Sequence, residues 1–312
     1  MSRCSRAHGF FRLRFSLLSL LSFALLAAPP EIALAQPQSA ARHAITHEDV
    51  WLAKRVGAPV PSPDGRWAVF SVIEPAYDEK DQVSDLWIAA ADKSAAPPRR
   101  LTFSKGVESD LAWSLDSRRL AFSAKREGDE VNQIYVLNVA DGGEAVKFTA
   151  LSTGARSPRW RPDGKALLFV SNVYPGAMDD AANQKIAAER KSRKYKARVY
   201  EGFPVRYWDK WLEEAQPHLF VQSDEPGAQA RDLLAGAELA AGRGFGGRQT
   251  DTGEVIDAVW TPDGLGVIFA ATAKRDTAAY ARYNTHLYVA PVASGGAPRQ
   301  LTEGADNFAR PR

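Results

Sequence analysis

The chain has 312 residues, 45% hydrophobic and 25% charged, with 40 Lys and Arg against 37 Asp and Glu. This is the composition of an ordinary globular protein, and no charge excess steers it toward nucleic acid or a membrane surface. Its single cysteine, Cys4, excludes a disulfide framework.

In chain order, the first element is a targeting segment. Arg3, Arg6, Arg12 and Arg14 form a basic start, Phe15 to Ala28 an apolar stretch, and Ala33-Leu34-Ala35 a small-x-small site before Gln36. Residues 1–35 therefore read as a signal peptide. The apolar stretch is short for a membrane span and ends at Pro29-Pro30. Cleavage removes Cys4, four arginines and Glu31, leaving 36 basic against 36 acidic residues. A neutral mature chain without thiols suits the periplasm or secretion, with no membrane partner once the signal is cleaved.

Residues 36–58 are expected to form a leader and a short helix. Thr46 with Asp49 resembles a capping box, opening a helix through about Arg55.

From residue 59 one phrase recurs four times. It reads Pro61-Ser62-Pro63-Asp64-Gly65-Arg66-Trp67-Ala68-Val69-Phe70, then Trp113 to Phe122, Trp160 to Phe169 and Trp260 to Phe269. The aligned aspartates are Asp64, Asp116, Asp163 and Asp263, at steps of 52, 47 and 100 residues, the last holding an insertion. Pro-Asp-Gly is a turn: proline presets φ, aspartate caps its own turn and glycine accepts positive φ. Apolar-aromatic runs follow at Asp85–Ile88, Gln133–Val136, His218–Val221 and His286–Val289, and three units continue to Leu101-Thr102, Phe148-Thr149 or Leu301-Thr302. About four short strands in roughly 50 residues is the size of a propeller blade. The predicted fold is all-β, a partial β-propeller of about four four-stranded blades over 59–312 with WD-like or TolB-like repeats.

The third blade carries an insertion, roughly 174–216. Asp179 to Lys196 is rich in Ala, Lys, Arg and Glu without Gly or Pro, and predicts a charged, solvent-facing helix. Tyr200 to Glu214 sets five aromatic residues among acids and bases. A long excursion from one blade is usually functional. The chain ends at Ala309-Arg310-Pro311-Arg312, which matches Arg156-Ser157-Pro158-Arg159 ahead of Trp160. A further blade is therefore expected to follow.

Few residues offer chemistry. There is no Gly-x-Ser-x-Gly. His218 and His286 occupy the repeat position of Asp85 and Gln133, which marks a strand entry rather than a catalytic group. His43 and His47 lack a ligand cluster, so neither metal nor cofactor is expected. Gly242-Arg243-Gly244-Phe245-Gly246-Gly247 fits Gly-x-Gly-x-x-Gly, but no helix opens after it, and it reads as a flexible loop. The basic run from Glu189 to Arg198 reads as a solvated helix face, not a nucleic-acid site. Glu201, Glu213 and Glu214, among Phe203, Tyr207, Trp208 and Trp211, remain as candidates for holding a cation such as a peptide amino terminus. Ion pairing with Arg198, Arg206 or Lys210 is the structural alternative.

The repeats, with Glu48-Asp49-Val50-Trp51 and Arg55-Val56-Gly57-Ala58-Pro59-Val60 ahead of the first turn, resemble the amino-terminal β-propeller of the prolyl oligopeptidase family of serine peptidases. Ala197-Arg198-Val199-Tyr200 and Arg206-Tyr207-Trp208-Asp209-Lys210-Trp211 resemble its secreted bacterial dipeptidyl-peptidase and acylaminoacyl-peptidase branch. The resemblance implies a propeller that gates and positions short peptides for a carboxy-terminal α/β-hydrolase domain with a Ser-Asp-His triad. That domain is missing from these residues, so no catalytic residue is assigned and the chain alone is expected to be inactive. The substrate partner implied is a peptide, bound with the catalytic domain; the oligomeric state is left open. TolB-like propellers share the blade phrase, and a non-enzymatic periplasmic propeller that binds protein partners is the alternative.

Overall fold

The computed structural model describes residues 43–312 except 93–95, 105, 196, 201–204, 208, 251–252, 279 and 294–295. The expected signal peptide lies outside the described residues. Everything below belongs to one unit, Thr46–Arg312.

Helix α1 (His47–Trp51) opens with the capping box: the Asp49 N–H donates to Thr46 Oγ1 at 3.3 Å and the Thr46 N–H to Asp49 Oδ2 at 2.8 Å. The helix is shorter than its sequence suggests. Arg55 and Val56 are instead drawn into pairing with Ile73 and Val72, so the first blade opens at Arg55.

Blade one holds β1 (Arg55–Val56), β2 (Val60–Pro61), β3 (Trp67–Glu74), β4 (Val83–Ala90) and β5 (Arg99–Arg100); β1 and β2 are two pieces of one strand position against β3. Blade two is β6 (Glu108–Trp113), β7 (Arg119–Ala124), β8 (Gln133–Asn138) and β9 (Val146–Lys147). Blade three begins with β10 (Arg156–Trp160) and β11 (Ala166–Val173). The chain then leaves the sheet through α2 (Asp180–Ser192) and the small hairpin β12 (Arg206–Tyr207) and β13 (Lys210–Trp211), and returns as β14 (Gln216–Ser223) and β15 (Arg231–Asp232). A short helix α3 (Glu238–Ala241) and a second hairpin, β16 (Arg248–Thr250) and β17 (Gly253–Val255), lead to blade four: β18 (Ala258–Trp260), β19 (Gly266–Ala271), β20 (His286–Pro291) and β21 (Arg299–Gln300). Every pairing is antiparallel and every blade is a meander. This is the partial propeller the repeats predict.

The repeated turn works alike in all four blades. In blade one the Gly65 N–H reaches Ser62 O at 2.9 Å, while Asp64 Oδ1 accepts from Ser62 Oγ at 2.6 Å and from the Arg66 N–H at 3.0 Å. The residue after the aspartate is left-handed each time, with φ of 71° at Gly65, 70° at Gly164 and 68° at Gly264. Blade two has Ser117 there, at φ 59°, a conformation costly for a non-glycine residue. The Ser117 hydroxyl has a role no glycine could fill: it accepts the Asp64 N–H of blade one at 3.0 Å.

Period-two alternation explains why the blade strands are apolar on consecutive residues. Each blade sets its closing aromatic opposite a second one, as Phe122 against Tyr135, Phe169 against Phe220 and Phe269 against Tyr288, with ring centroids 6.2, 5.9 and 5.6 Å apart. These pairs face the preceding blade. The intervening residues, such as Leu168 and Val170 in blade three, face the following one. Four blades thus enclose three apolar clusters, one at each interface. Aromatic cross-strand pairs add to the area term.

Two polar devices repeat with the fold. Thr102, Thr149 and Thr302 each accept, through Oγ1 at 2.9 Å, the N–H of Leu86, Ile134 and Leu287 on the neighbouring strand. Blade three has Leu234 in that position, which is why its third phrase lacks the Leu-Thr pair; Leu233 still donates to Leu219 O at 2.8 Å. The second device joins blades. The indole N–H of Trp113 donates to Val60 O at 3.1 Å, that of Trp160 to Ala112 O at 3.1 Å and that of Trp260 to Arg159 O at 3.0 Å. The three acceptors are the same repeat position in successive blades.

Trp160→Phe should therefore cost about 1–2 kcal/mol in urea unfolding, because a buried carbonyl loses its donor while most apolar area is kept. Trp260→Phe, at a more exposed indole, should cost less. Acid should also weaken the turns. The Ser62 hydroxyl and the Arg66 N–H hold Asp64 down at about 2. A depressed carboxyl stabilises fully above its unfolded value of about 4 and stops doing so as pH falls through its folded value. The melting temperature should drop between about pH 4 and pH 2, and Asp64→Asn should flatten that drop.

Candidate functional site

Strand ends and loops of blades two and three, with the hairpin ahead of blade four, line a cleft of about 550 Å³. Its walls mix apolar residues such as Trp211, Leu212 and Val255 with charged and polar ones, and two β-bulges carry Asp110, Arg156 and Ser157 to it. The ladder slips between Ser109 and Ala112 in β6 and between Arg156 and Arg159 in β10. Asp110 and Ser157 take left-handed φ values of 56° and 55° at these points, and Arg310 repeats the conformation at 52°. A bulge bends its strand and re-aims its side chains. The two bulges are joined, since the Ser157 N–H donates to Asp110 Oδ2 at 3.0 Å, which also receives the Ser123 hydroxyl at 3.2 Å.

Arg156, at the start of β10, lines this cleft. Its Nη2 donates to Asn172 Oδ1 at 3.1 Å and approaches Glu254 O at 3.4 Å. Burial lowers its pKa from the usual arginine value, while Asp110 and Glu254 pull it back up. The opposite wall is the β16–β17 hairpin. Glu254 Oε2 pairs with Arg275 Nη1 at 2.6 Å, and Oε1 accepts the Gly247 N–H at 2.8 Å. Burial pushes the Glu254 carboxyl up, against the pull of Arg275 and the Gly247 N–H.

The glycine run 242–247 is held, not loose. Gly246 exchanges two backbone hydrogen bonds with Thr272, at 3.1 and 2.8 Å, and Phe245 is wholly buried. A Cβ on Gly247 would stand 2.1 Å from Val255 O, so close backbone approach requires glycine there. The flexible-loop expectation fails because these contacts lie far apart in sequence.

The rim is formed by the blade-three insertion. Tyr200 stacks on Trp211 at 6.0 Å and donates its hydroxyl to Leu212 O at 3.1 Å. Leu212 and Glu213 line both the cleft and an adjoining pocket of about 490 Å³. Of the three glutamates picked out by sequence, Glu213 stands on the cleft rim and pairs with Arg198 at 2.9 Å, its side chain 72% exposed. Glu214 lines only the adjoining pocket and pairs with Arg190, whose guanidinium lies 4.8 Å from the Tyr174 ring centre. Glu201 lies outside the described residues. Asp110, Arg156, Glu254 and Arg275 were not singled out by sequence. One signal was available: Arg156 fills the repeat position held by Gly57, Ser109 and Ile256 in the other blades and by Ala309 in the matching phrase at the chain's end. His218 is structural, its Nδ1 2.7 Å from Asp232 Oδ2 and its ring edge-on to Phe245. Among the described residues no group of three His, Cys, Asp or Glu is placed to hold a metal, and no helix is long and apolar enough to cross a membrane.

Known proteins resemble the chain throughout. It is 27% identical over 301 residues, 93% of its length, to dipeptidyl-peptidase 5 of Porphyromonas endodontalis, of which it spans 40%. It is 26% identical over 227 residues to an uncharacterized peptidase of Bacillus subtilis, covering 73% of this chain and 31% of that protein. Acylaminoacyl peptidase of Pyrococcus horikoshii superposes with a TM-score of 0.51 at 13% identity, over 82% of this chain and 33% of that one, a likeness of fold. No family model matches. The chain thus spans well under half the length of these relatives, and the resemblance to the propellers of prolyl oligopeptidase-type peptidases is borne out.

Removing the Glu254 carboxylate should leave Arg275 buried and unpaired. Glu254→Ala is expected to cost about 3 kcal/mol in urea unfolding. Glu254→Gln, which keeps one acceptor oxygen and the side-chain volume, should cost less than Glu254→Ala.

Proposed function

We propose that this chain is the propeller of an exported serine peptidase acting on short peptides, which it gates and positions for an α/β-hydrolase domain. The observation that carries the reading is the cleft between the blades, lined by apolar and charged residues, with an exposed carboxylate, Glu213, on its rim. The dipeptidyl-peptidase relatives support it independently. The basic and apolar amino-terminal segment supports export, to the periplasm or outside the cell.

The proposed chemistry is recognition. An enzyme that counts residues from a peptide's amino end needs a fixed anion for the ammonium group. Glu213 suits that task better than Glu214. Its partner Arg198 is on the surface, where an ion pair is worth little and is readily exchanged. Glu214 is held by the less exposed Arg190, itself packed on Tyr174. Glu201 keeps its place as a candidate on sequence grounds. The chain carries no Gly-x-Ser-x-Gly, so hydrolysis is assigned to the whole gene product and not to these residues.

The test begins with the full gene product and a fluorophosphonate probe, which should label a serine; absence of labelling would overturn the peptidase reading. With dipeptidyl substrates bearing a free amino terminus, Glu213→Gln should lower kcat/KM by about 10- to 150-fold, the worth of one charge-assisted hydrogen bond. Substrates with a blocked amino terminus should lose nothing. Equal losses on both would make Glu213 a structural residue.

A further inference from the structure

Arg156 is a cation without a direct ion pair: the Asp110 and Glu254 carboxylates act on it only from beyond contact. Among the described residues no carboxylate lies within ion-pair distance of it, and its one side-chain acceptor is the neutral Asn172. The neighbouring carboxylates are already committed. Glu254 is taken by Arg275 and the Gly247 N–H, and Asp110 by the Ser157 N–H and Ser123. Two further facts make this more than a stray surface arginine. It lines the cleft, half-buried, where an unpaired charge is costly to hold. The blade architecture does not ask for it, since the same repeat position is Gly57, Ser109, Ile256 or Ala309 elsewhere. A cation kept at a cost, at a position where the fold accepts small or apolar residues, is a ready site for an anion.

We infer that Arg156 is the carboxylate-binding group of the cleft, taking the free carboxyl end of a short peptide. This rests on the peptide-binding reading above and extends it: the cleft would then hold released dipeptides, so that product competes with substrate. The guanidinium has five N–H donors, and the hydrogen bonds described engage only Nη2, which leaves donors for a carboxylate oxygen.

The experiment is titration calorimetry of the full gene product, its nucleophilic serine blocked by the fluorophosphonate, with Gly-Phe and with Gly-Phe amide, which differ only in the terminal charge. The free acid should bind at least about tenfold more tightly, as expected of a charge-assisted contact. Arg156→Met should bring the acid-to-amide ratio close to one, and Arg156→Lys should keep part of it. The wild-type comparison needs no variant, so a poorly folding substitution does not blunt the test. If both ligands bind the wild type equally, or if the ratio survives in a folded Arg156→Met protein, the Arg156 inference falls and peptide binding stands. If neither ligand binds the full gene product, peptide binding in the cleft falls and the Arg156 inference with it, whereas the serine labelling tests the peptidase reading separately.

Discussion

Three indole N–H groups tie the four blades into one body. A blade is a twisted sheet with two apolar faces, and apolar contact alone has no direction; it would let adjacent sheets slide. The hydrogen bonds from Trp113, Trp160 and Trp260 to Val60, Ala112 and Arg159 remove that freedom, because each joins one repeat position to the next at a distance between 3.0 and 3.1 Å. The ring supplies buried area and the N–H supplies register, a combination that phenylalanine or leucine lacks. Side-chain links reinforce it. Arg119 lies over the Trp160 ring at 4.3 Å and donates to Gly164 O at 2.7 Å, and Gln222 of blade three reaches Phe148 O at 2.8 Å.

The same register decides which residues a blade can afford to have polar. Between blades the strands must be apolar on both faces, so Leu167, Leu168, Phe169 and Val170 follow one another without a polar residue. Chemistry is confined to where the strands end. The bulges at Asp110 and Ser157 are that margin: two residues in left-handed conformation turn the inner strands and place Arg156 and Asp110 on the wall of the cleft. The site is therefore built from the places where the sheet pattern is broken.

The insertion follows a different logic. It leaves β11 after Val173 and returns at Gln216, so both its ends are fixed by ladder pairing between Val173 and Gln216. Within it, α2 starts at an Asp179 cap and settles through Asn183, which accepts the Tyr174 N–H at 2.8 Å and donates to Asn172 O at 3.3 Å. Asn172 thus meets the helix through its backbone carbonyl and Arg156 through its side chain, linking the excursion to the cleft through a single residue.

By itself the sequence determined the repeat, the turn chemistry and the all-β blades, because these depend on residues close together: Pro-Asp-Gly sets its own φ values, and alternation is read within one strand. It also marked the capping box at Thr46 and the charged helix of the insertion. Only the tertiary structure decided what depends on distant partners. Whether Glu213 or Glu214 meets the cleft turns on how the insertion returns to the sheet. Whether Arg55 is helix or strand turns on Ile73. Why a glycine run is rigid turns on Val255 and Thr272. Above all, the lack of a direct ion pair at Arg156 follows from three-dimensional accounting, in which Arg275, 21 residues from Glu254, has already claimed that carboxylate. A charge is visible in a sequence; whether it has been neutralised is settled by what folding brings beside it.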